Sequence, residues 1–189
     1  MLLATVLIGM LVAAPRAGAE WSPPFDLSPE IGSADYPQIA VDPSGGAIAV
    51  WNASGGASDG IQARRIDASG TLGPVQDVTE AGELGSSPQV AVDAAGTAMV
   101  VWIGVPDGRL RSRRLTPGGA LEDSDDVSPA GQSAGEPGVA VDPSGNATVV
   151  WSAPMARGTS STRAGSTQQV GPGRWWPHRV RTRSPSGSR

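Results

Sequence analysis

Cysteine is absent from this chain of 189 residues, and so is lysine. The first absence rules out disulfides, a thiol nucleophile and thiolate metal sites, and it leaves the redox compartment unread. The second leaves Arg as the whole basic complement; with 26 Gly and 17 Pro it marks a GC-rich gene. Histidine occurs once, at His178, and no Ser/His/Asp set, phosphate loop or metal cluster stands out. No catalytic, cofactor or metal residue can therefore be named, and the sequence calls for no cofactor. Long apolar runs are missing too. Leu2–Ala14 falls short of the roughly 20 residues a membrane helix needs, and no other segment comes close.

That short run reads as a secretory leader. Pro15 breaks it, and Ala17-Gly18-Ala19 supplies a small-x-small cleavage pattern before Glu20. No Lys or Arg precedes it, so the terminal amine is the only positive end. The expectation is a signal peptide over 1–19, cleaved after Ala19, and a bacterial protein that is secreted or held at the cell surface.

The net charge of −4 conceals an asymmetry. Residues 20–156 hold 18 acids and 6 Arg, a charge of −12; residues 157–189 hold 7 Arg and no acid, a charge of +7.

What the chain does have is repetition. Trp21–Trp51, Leu72–Trp102 and Leu121–Trp151 align as ungapped 31-residue blocks, at periods of 51 and 49 residues. Each carries Asp-[Leu/Val]-[Ser/Thr] (Asp26-Leu27-Ser28, Asp77-Val78-Thr79, Asp126-Val127-Ser128). Each then runs through Pro37–Asp42, Pro88–Asp93 or Pro137–Asp142 to a Gly, an apolar stretch and a Trp. Ile39-Ala40-Val41 has strand alternation. Asp42-Pro43-Ser44-Gly45 and its counterparts are turns, with Asp accepting a backbone N–H and Gly taking positive φ. Ala47–Trp51, Ala98–Trp102 and Ala147–Trp151 are apolar enough for both faces to be buried. Third strands are expected at Ile61–Asp67 and Leu110–Thr116, with Arg64-Arg65 matching Arg113-Arg114, and fourth strands ending at the Asp-Val-[Ser/Thr] element.

Four antiparallel strands in about 50 residues, repeated, form a β-propeller blade pattern. The fold class expected is all-β: propeller blades in an incomplete ring, with a β-sandwich as the alternative. Units fall near 37–87, 88–136 and 137–156, and Trp21–Ser28 aligns with a fourth strand, so that the chain opens on an outer strand. On these motifs residues 21–151 resemble secreted bacterial β-propeller repeat proteins of the broad WD-repeat and sialidase-like group. The Asp turn does not match the sialidase box Ser-x-Asp-x-Gly-x-x-Trp, so the resemblance implies fold and not sialidase activity.

After Trp151 the pattern stops. Residues 157–189 read as a basic disordered tail holding Trp175-Trp176 and His178. A frameshift reading sharpens this: in GC-rich codons, a shifted frame over Thr162–Val170 yields Ala-Arg-Arg-Leu-Asp-Ala-Ala-Gly, the counterpart of Ala63–Gly70. On that reading the chain is truncated and the intact protein is longer. A third unit without outer strands or a following blade would leave Val149, Val150 and Trp151 on an open, aggregation-prone face.

Candidate chemistry is sparse. Asp42, Asp93 and Asp142 invite Ca²⁺, which takes about 6–8 oxygens; one carboxylate per turn makes them turn formers. Asp123, Asp125 and Asp126 with Ser124 read as solvated charge. Arg64, Arg65, Arg113 and Arg114 read as exposed residues balancing nearby acids, with an anion-binding array as the rival. Trp51, Trp102 and Trp151 read as packing between blades, with sugar stacking at Trp51 or Trp102 the lesser reading. Asn52-Ala53-Ser54 and Asn146-Ala147-Thr148 match the glycosylation sequon. The functional expectation is a non-catalytic extracellular binding module for a glycan or protein. The alternative is a fragment of a propeller-fold polysaccharide hydrolase or lyase. Neither nucleic acid nor a membrane span is expected.

Overall fold

In the computed structural model, residues 21–29, 32–154, 160–169 and 175–179 are described, with side chains after Pro154 described only at 162–164. The leader assigned to 1–19 lies outside these residues, as do parts of the basic tail. Among the described residues twelve strands form three four-stranded antiparallel meanders. Blade 1 is β1 (Ser33–Val41), β2 (Ala47–Ser54), β3 (Gly60–Ile66) and β4 (Leu72–Asp77). Blade 2 is β5 (Leu84–Val92), β6 (Ala98–Val105), β7 (Leu110–Leu115) and β8 (Asp125–Asp126). Blade 3 is β9 (Gly135–Val141), β10 (Ala147–Pro154), β11 (Ser160–Gln169) and β12 (Trp175–Arg179). Among the described residues there is no helix, and hence none long and apolar enough to cross a membrane. The sheets pack face to face in chain order, and at one end the inner strands converge on a shared depression lined by Val41, Pro43, Val92, Ala94, Val141 and Pro143. These are β-propeller blades.

Period-2 burial sets the packing. On β2, Ile48 and Val50 turn toward blade 2, where they join Ile61, Ala98, Val100 and Trp102 in one cluster. On β6 the alternate residues Met99 and Val101 turn the other way, onto Ala147, Val149, Trp151 and Ala153 of blade 3. A central strand is thus buried on both faces, while β10, last in the array, alternates buried with exposed. At about 1.5–3 kcal/mol per buried Val, Ile or Leu side chain, these boundaries dominate the fold's stability.

Four expectations need correction. Inner strands begin four, four and two residues before Pro37, Pro88 and Pro137, at Ser33, Leu84 and Gly135. A bulge makes this possible: Tyr36, Ser87 and Glu136, each directly before the proline, take φ of 54°, 53° and 47°. The pairing register slips there in all three sheets, so a proline without an N–H sits where the ladder is already broken. Second, residues 21–29 form no strand; the fourth-strand motif Asp26–Ser28 lacks a third strand of its own sheet to pair with. Third, the tail read as disordered contributes β11 and β12. Nor does blade 3 expose its whole apolar run: Val149 and Trp151 are buried on blade 2 and only Val150 faces outward.

Candidate functional site

The repeated polar residues are structural, which narrows where function can lie. Asp42 Oδ1 accepts the N–H groups of Ser44 (2.8 Å) and Gly46 (3.1 Å). Asp93 does the same for Ala95 and Thr97, and Asp142 for Ser144 and Asn146. Hydrogen bonding, led by the Ser44 hydroxyl at Asp42 and by the Asn146 side chain at Asp142, holds both carboxyls below the usual range. A fourth turn repeats the device at Asp67 with Ser69 and Thr71. Among the described residues no group of three or more acids or histidines is placed to hold a metal ion.

The arginine pairs were expected to be exposed partners of acids. They are instead wholly or half buried and bind main-chain carbonyls. Arg64 donates Nε–H to Gly73 of its own blade at 2.7 Å and Nη1–H to Leu27 at 3.0 Å. Arg113 repeats this with Glu122 (2.6 Å) and Val78 of the preceding blade (2.8 Å). The second arginine reaches forward: Arg65 Nη2 to Gly96, Leu115 and Thr116, and Arg114 Nη2 to Gly145. A guanidinium suits this because its planar fork satisfies several carbonyls while its stem stays packed. Burial pulls the Arg65 and Arg114 pKa values down, against the attraction of nearby acids. Each pair therefore ties its blade forward to the next one and backward to the segment before it (Leu27 for blade 1, Val78 for blade 2), and the anion-array reading loses its donors.

Variation among equivalent positions is concentrated at the opposite end from the Asp turns, where β2, β6 and β10 finish. The residue paired with the blade tryptophan on the third strand is Gln62, Arg111 or Arg163. In blade 1 the set is neutral but for Asp77: Trp51 Nε1–H donates to Gln62 Oε1, and Gln62 Nε2–H donates to Asp77 (2.9 Å) and Ser58 (3.1 Å). In blade 2 it is ionic. Arg111 meets Asp107 at 2.6 Å, Glu83 at 3.0 Å and Asp126 at 3.3 Å, and Arg109 also reaches Asp126. Trp102 Nε1–H points at Glu83 (3.4 Å). Burial lowers the Arg111 pKa, but Glu83, Asp107 and Asp126 together outweigh that and raise it. Gly104 makes room for this set: a Cβ there would collide with the Arg111 guanidinium, whereas blades 1 and 3 carry Ala53 and Ala153. In blade 3, Arg163 donates to Gln132 (2.8 Å), which stands where blade 2 has Glu83.

Asp126 is thus an ion-pair partner and not free solvated charge. Its neighbour Asp125 has its pKa raised by partial burial and by the nearby Asp123 and Asp126 charges. The tryptophans are buried, at 3, 0 and 6 % exposure for Trp51, Trp102 and Trp151, which removes Trp102 as a stacking platform. Trp51 borders a mouth cavity of about 340 Å³ with Ser28, Ser33, Ser58 and Gln62. A larger one of about 630 Å³ lies between blades 1 and 2 at the turn end, beside Asp42, Arg65, Asp67 and Pro117. The sequon Asn52 is half buried within β2, and Asn146 is tied to Asp142. Side chains of Trp175, Trp176 and His178 lie outside the described residues.

No protein-family model matches this chain, and sequence comparison with characterised proteins finds no relative. Among solved structures it is similar to the Hadza microbial sialidase Hz136, with a TM-score of 0.56 and 15 % identity, over 77 % of this chain and 37 % of that one. It is also similar to an engineered GH43 glycoside hydrolase that displays endo-xylanase and exo-arabinofuranosidase activity, with a TM-score of 0.52 and 16 % identity, over 78 % of this chain and 28 % of that one. Both are β-propeller enzymes. The chain spans about a third of their length, and at this identity the likeness is one of fold.

Proposed function

We propose that these blades belong to a propeller-fold protein that acts on polysaccharide outside the cell, as a hydrolase or lyase. The observation that carries the reading is the blade 2 mouth, where Glu83, Asp107 and Asp126 gather around Arg111 on a fold otherwise built from repeats. Propeller glycosidases of the same architecture support it. An arginine at 2.6–3.3 Å holds these carboxylates together at the mouth, where their oxygens can accept hydrogen bonds from sugar hydroxyls. Glycoside hydrolysis needs a protonated partner across the cleft as well, and that acid belongs to another blade. The leader sequence is the basis for the extracellular placement.

The second reading is a non-catalytic glycan-binding module. It draws on the same geometry: all three mouth carboxylates are already ion-paired, as in a recognition surface. Incubating the secreted protein with a polysaccharide panel, and assaying for new reducing ends and for unsaturated products, separates the two. Turnover that Glu83→Gln or Asp107→Asn abolishes supports the enzyme. Retention on a glycan column without turnover supports the module, and neither binding nor turnover sinks both. N-terminal sequencing of the exported protein should begin at Glu20.

A further inference from the structure

The cavity at the turn end has both its walls inside the array, since blades 1 and 2 enclose it. Blade 1 contributes Asp42, Arg65, Asp67 and Gly73, and blade 2 contributes Pro117. Its volume of about 630 Å³ lies inside the range of roughly 300–1,000 Å³ typical of small-molecule sites.

The polar groups of this cavity are only half committed. Asp42 Oδ1 accepts the N–H groups of Ser44 and Gly46, and Asp67 Oδ1 accepts those of Ser69 and Thr71. The Oδ2 atom of each accepts no hydrogen bond among the described residues, whereas Asp142 Oδ2 holds the Asn146 amide. Arg65 Nη2 donates to three carbonyls. Among the described residues Nη1 donates to none, and Nε–H is buried without a partner. A buried donor of that kind calls for an explanation. Hydrogen bonds led by the Ser44 and Ser69 hydroxyls lower the Asp42 and Asp67 pKa values, so both are charged at neutral pH.

The cavity also breaks the repeat. Blade 2 has Thr116 in the place of Asp67 and Glu122 in the place of Gly73. Thr116 keeps the turn, its Oγ1 accepting the Ala120 N–H at 3.0 Å as Asp67 Oδ1 accepts that of Thr71 at 2.8 Å. The turn therefore does not require a carboxylate. Glu122 brings a charge close enough to act on Arg114, which is buried where Arg65 is half-buried. Gly73 leaves the corresponding space beside Arg65 empty. A Cβ there would stand 3.4 Å from the Arg65 carbonyl and 3.8 Å from its Cβ, which is ordinary contact. Packing demands neither Asp67 nor Gly73.

We propose that this cavity binds a short neutral oligosaccharide, at a site separate from the mouth of blade 2. Simple ions suit it poorly: a free anion would face Asp42 and Asp67, and a free cation would face Arg65. A hydroxyl both donates and accepts. Sugar hydroxyls can therefore donate to the two Oδ2 atoms while others accept from Arg65 Nη1. The C–H faces of the sugar rings would pack on Ile66, Leu72 and Pro117, the apolar part of the same lining. The site does not rest on the polysaccharide reading of the mouth, and either can fail alone.

Isothermal titration calorimetry of the full chain tests it, with cellotriose, xylotriose and maltotriose as neutral probes. Glycylglycine and trigalacturonate serve as charged controls. At least one neutral trisaccharide should bind more tightly than either control. Gly73→Glu, which gives blade 1 the residue blade 2 carries, should weaken that binding at least tenfold with unchanged circular dichroism and Tm. Asp67→Thr, also taken from blade 2, should weaken it by a smaller factor, because one carboxylate is lost and the turn survives. The proposal is overturned if none of the three trisaccharides binds the folded chain, or if binding is undiminished in either folded variant. Tighter binding of glycylglycine or trigalacturonate overturns it as well, and would make the cavity a site for a charged ligand.

Discussion

Blades 1 and 2 share their scaffold almost residue for residue and differ at the mouth. Both have the prolyl bulge, the Asp turn, the buried tryptophan and the paired arginines. Yet Gln62 with Ser58 and Asp77 in one becomes Arg111 with Asp107, Glu83 and Asp126 in the other. The difference teaches where selection for packing ends. A residue facing a neighbouring blade must fit a close-packed wedge, and substitution there costs stability. A residue at the strand end only has to satisfy its hydrogen bonds, so neutral and ionic solutions fit the same backbone.

The tryptophans test the scaffold half of that comparison most severely. Trp102 is sealed between two blades, while the apolar neighbours of Trp51 are Ala49, Ala53, Leu27 and Val75. Trp102→Ala should cost about 3–5 kcal/mol, and Trp51→Ala clearly less because its looser surroundings can collapse. Chemical denaturation of the two variants checks the order. Equal losses would mean that the blade 1 face is covered more fully than Leu27 and Val75 allow.

The guanidinium stitches come next. Arg65→Met removes a donor to three carbonyls at 3.0–3.1 Å and should cost about 1.5–3 kcal/mol, the usual worth of hydrogen bonds to a charged group. Arg65→Lys should recover only part of that, because one ammonium cannot reproduce the planar fork. Full rescue by Lys would return the pair to the category of simple surface charge.

Acid should loosen the turn ends. Folding lowers the Asp42, Asp67 and Asp142 pKa values below the ordinary 3.8. Their stabilisation is therefore complete above that value and is lost as pH falls through the lower folded values. Asp125 has the opposite sign: its folded pKa is raised, so its charge opposes folding at neutral pH. Asp125→Asn should raise Tm slightly at pH 7 and make no difference well below pH 4, which a pair of thermal melts will show.

Much of this architecture was readable in the sequence, and the reasons are local. The ungapped repeat, the Asp-x-x-Gly turns and the apolar runs before Trp51, Trp102 and Trp151 announce strands and hairpins because period and turn chemistry are short-range properties. The stitching by Arg64, Arg65, Arg113 and Arg114 was not readable. Its acceptors are main-chain carbonyls 31 to 51 residues away for the bonds between blades, and a carbonyl leaves no signature in sequence. The strand starts were missed for a related reason: a proline in a strand reads as its beginning until the positive φ of Tyr36, Ser87 and Glu136 shows a bulge. The mouth of blade 2 had a signal that went unused, namely that Arg111, Glu83 and Asp107 break the repeat pattern.

On the proposed function, the blades share a scaffold while the ionic mouth of blade 2 binds the polysaccharide. Arg111→Gln tests it most directly, since it gives blade 2 the residue blade 1 already tolerates at Gln62. The measurement is affinity or turnover on the glycan identified for the unmodified protein, made alongside circular dichroism and oligomer mass. Glycan recognition should fall at least tenfold while fold and mass stay unchanged. Undiminished recognition by a folded Arg111→Gln protein would contradict it.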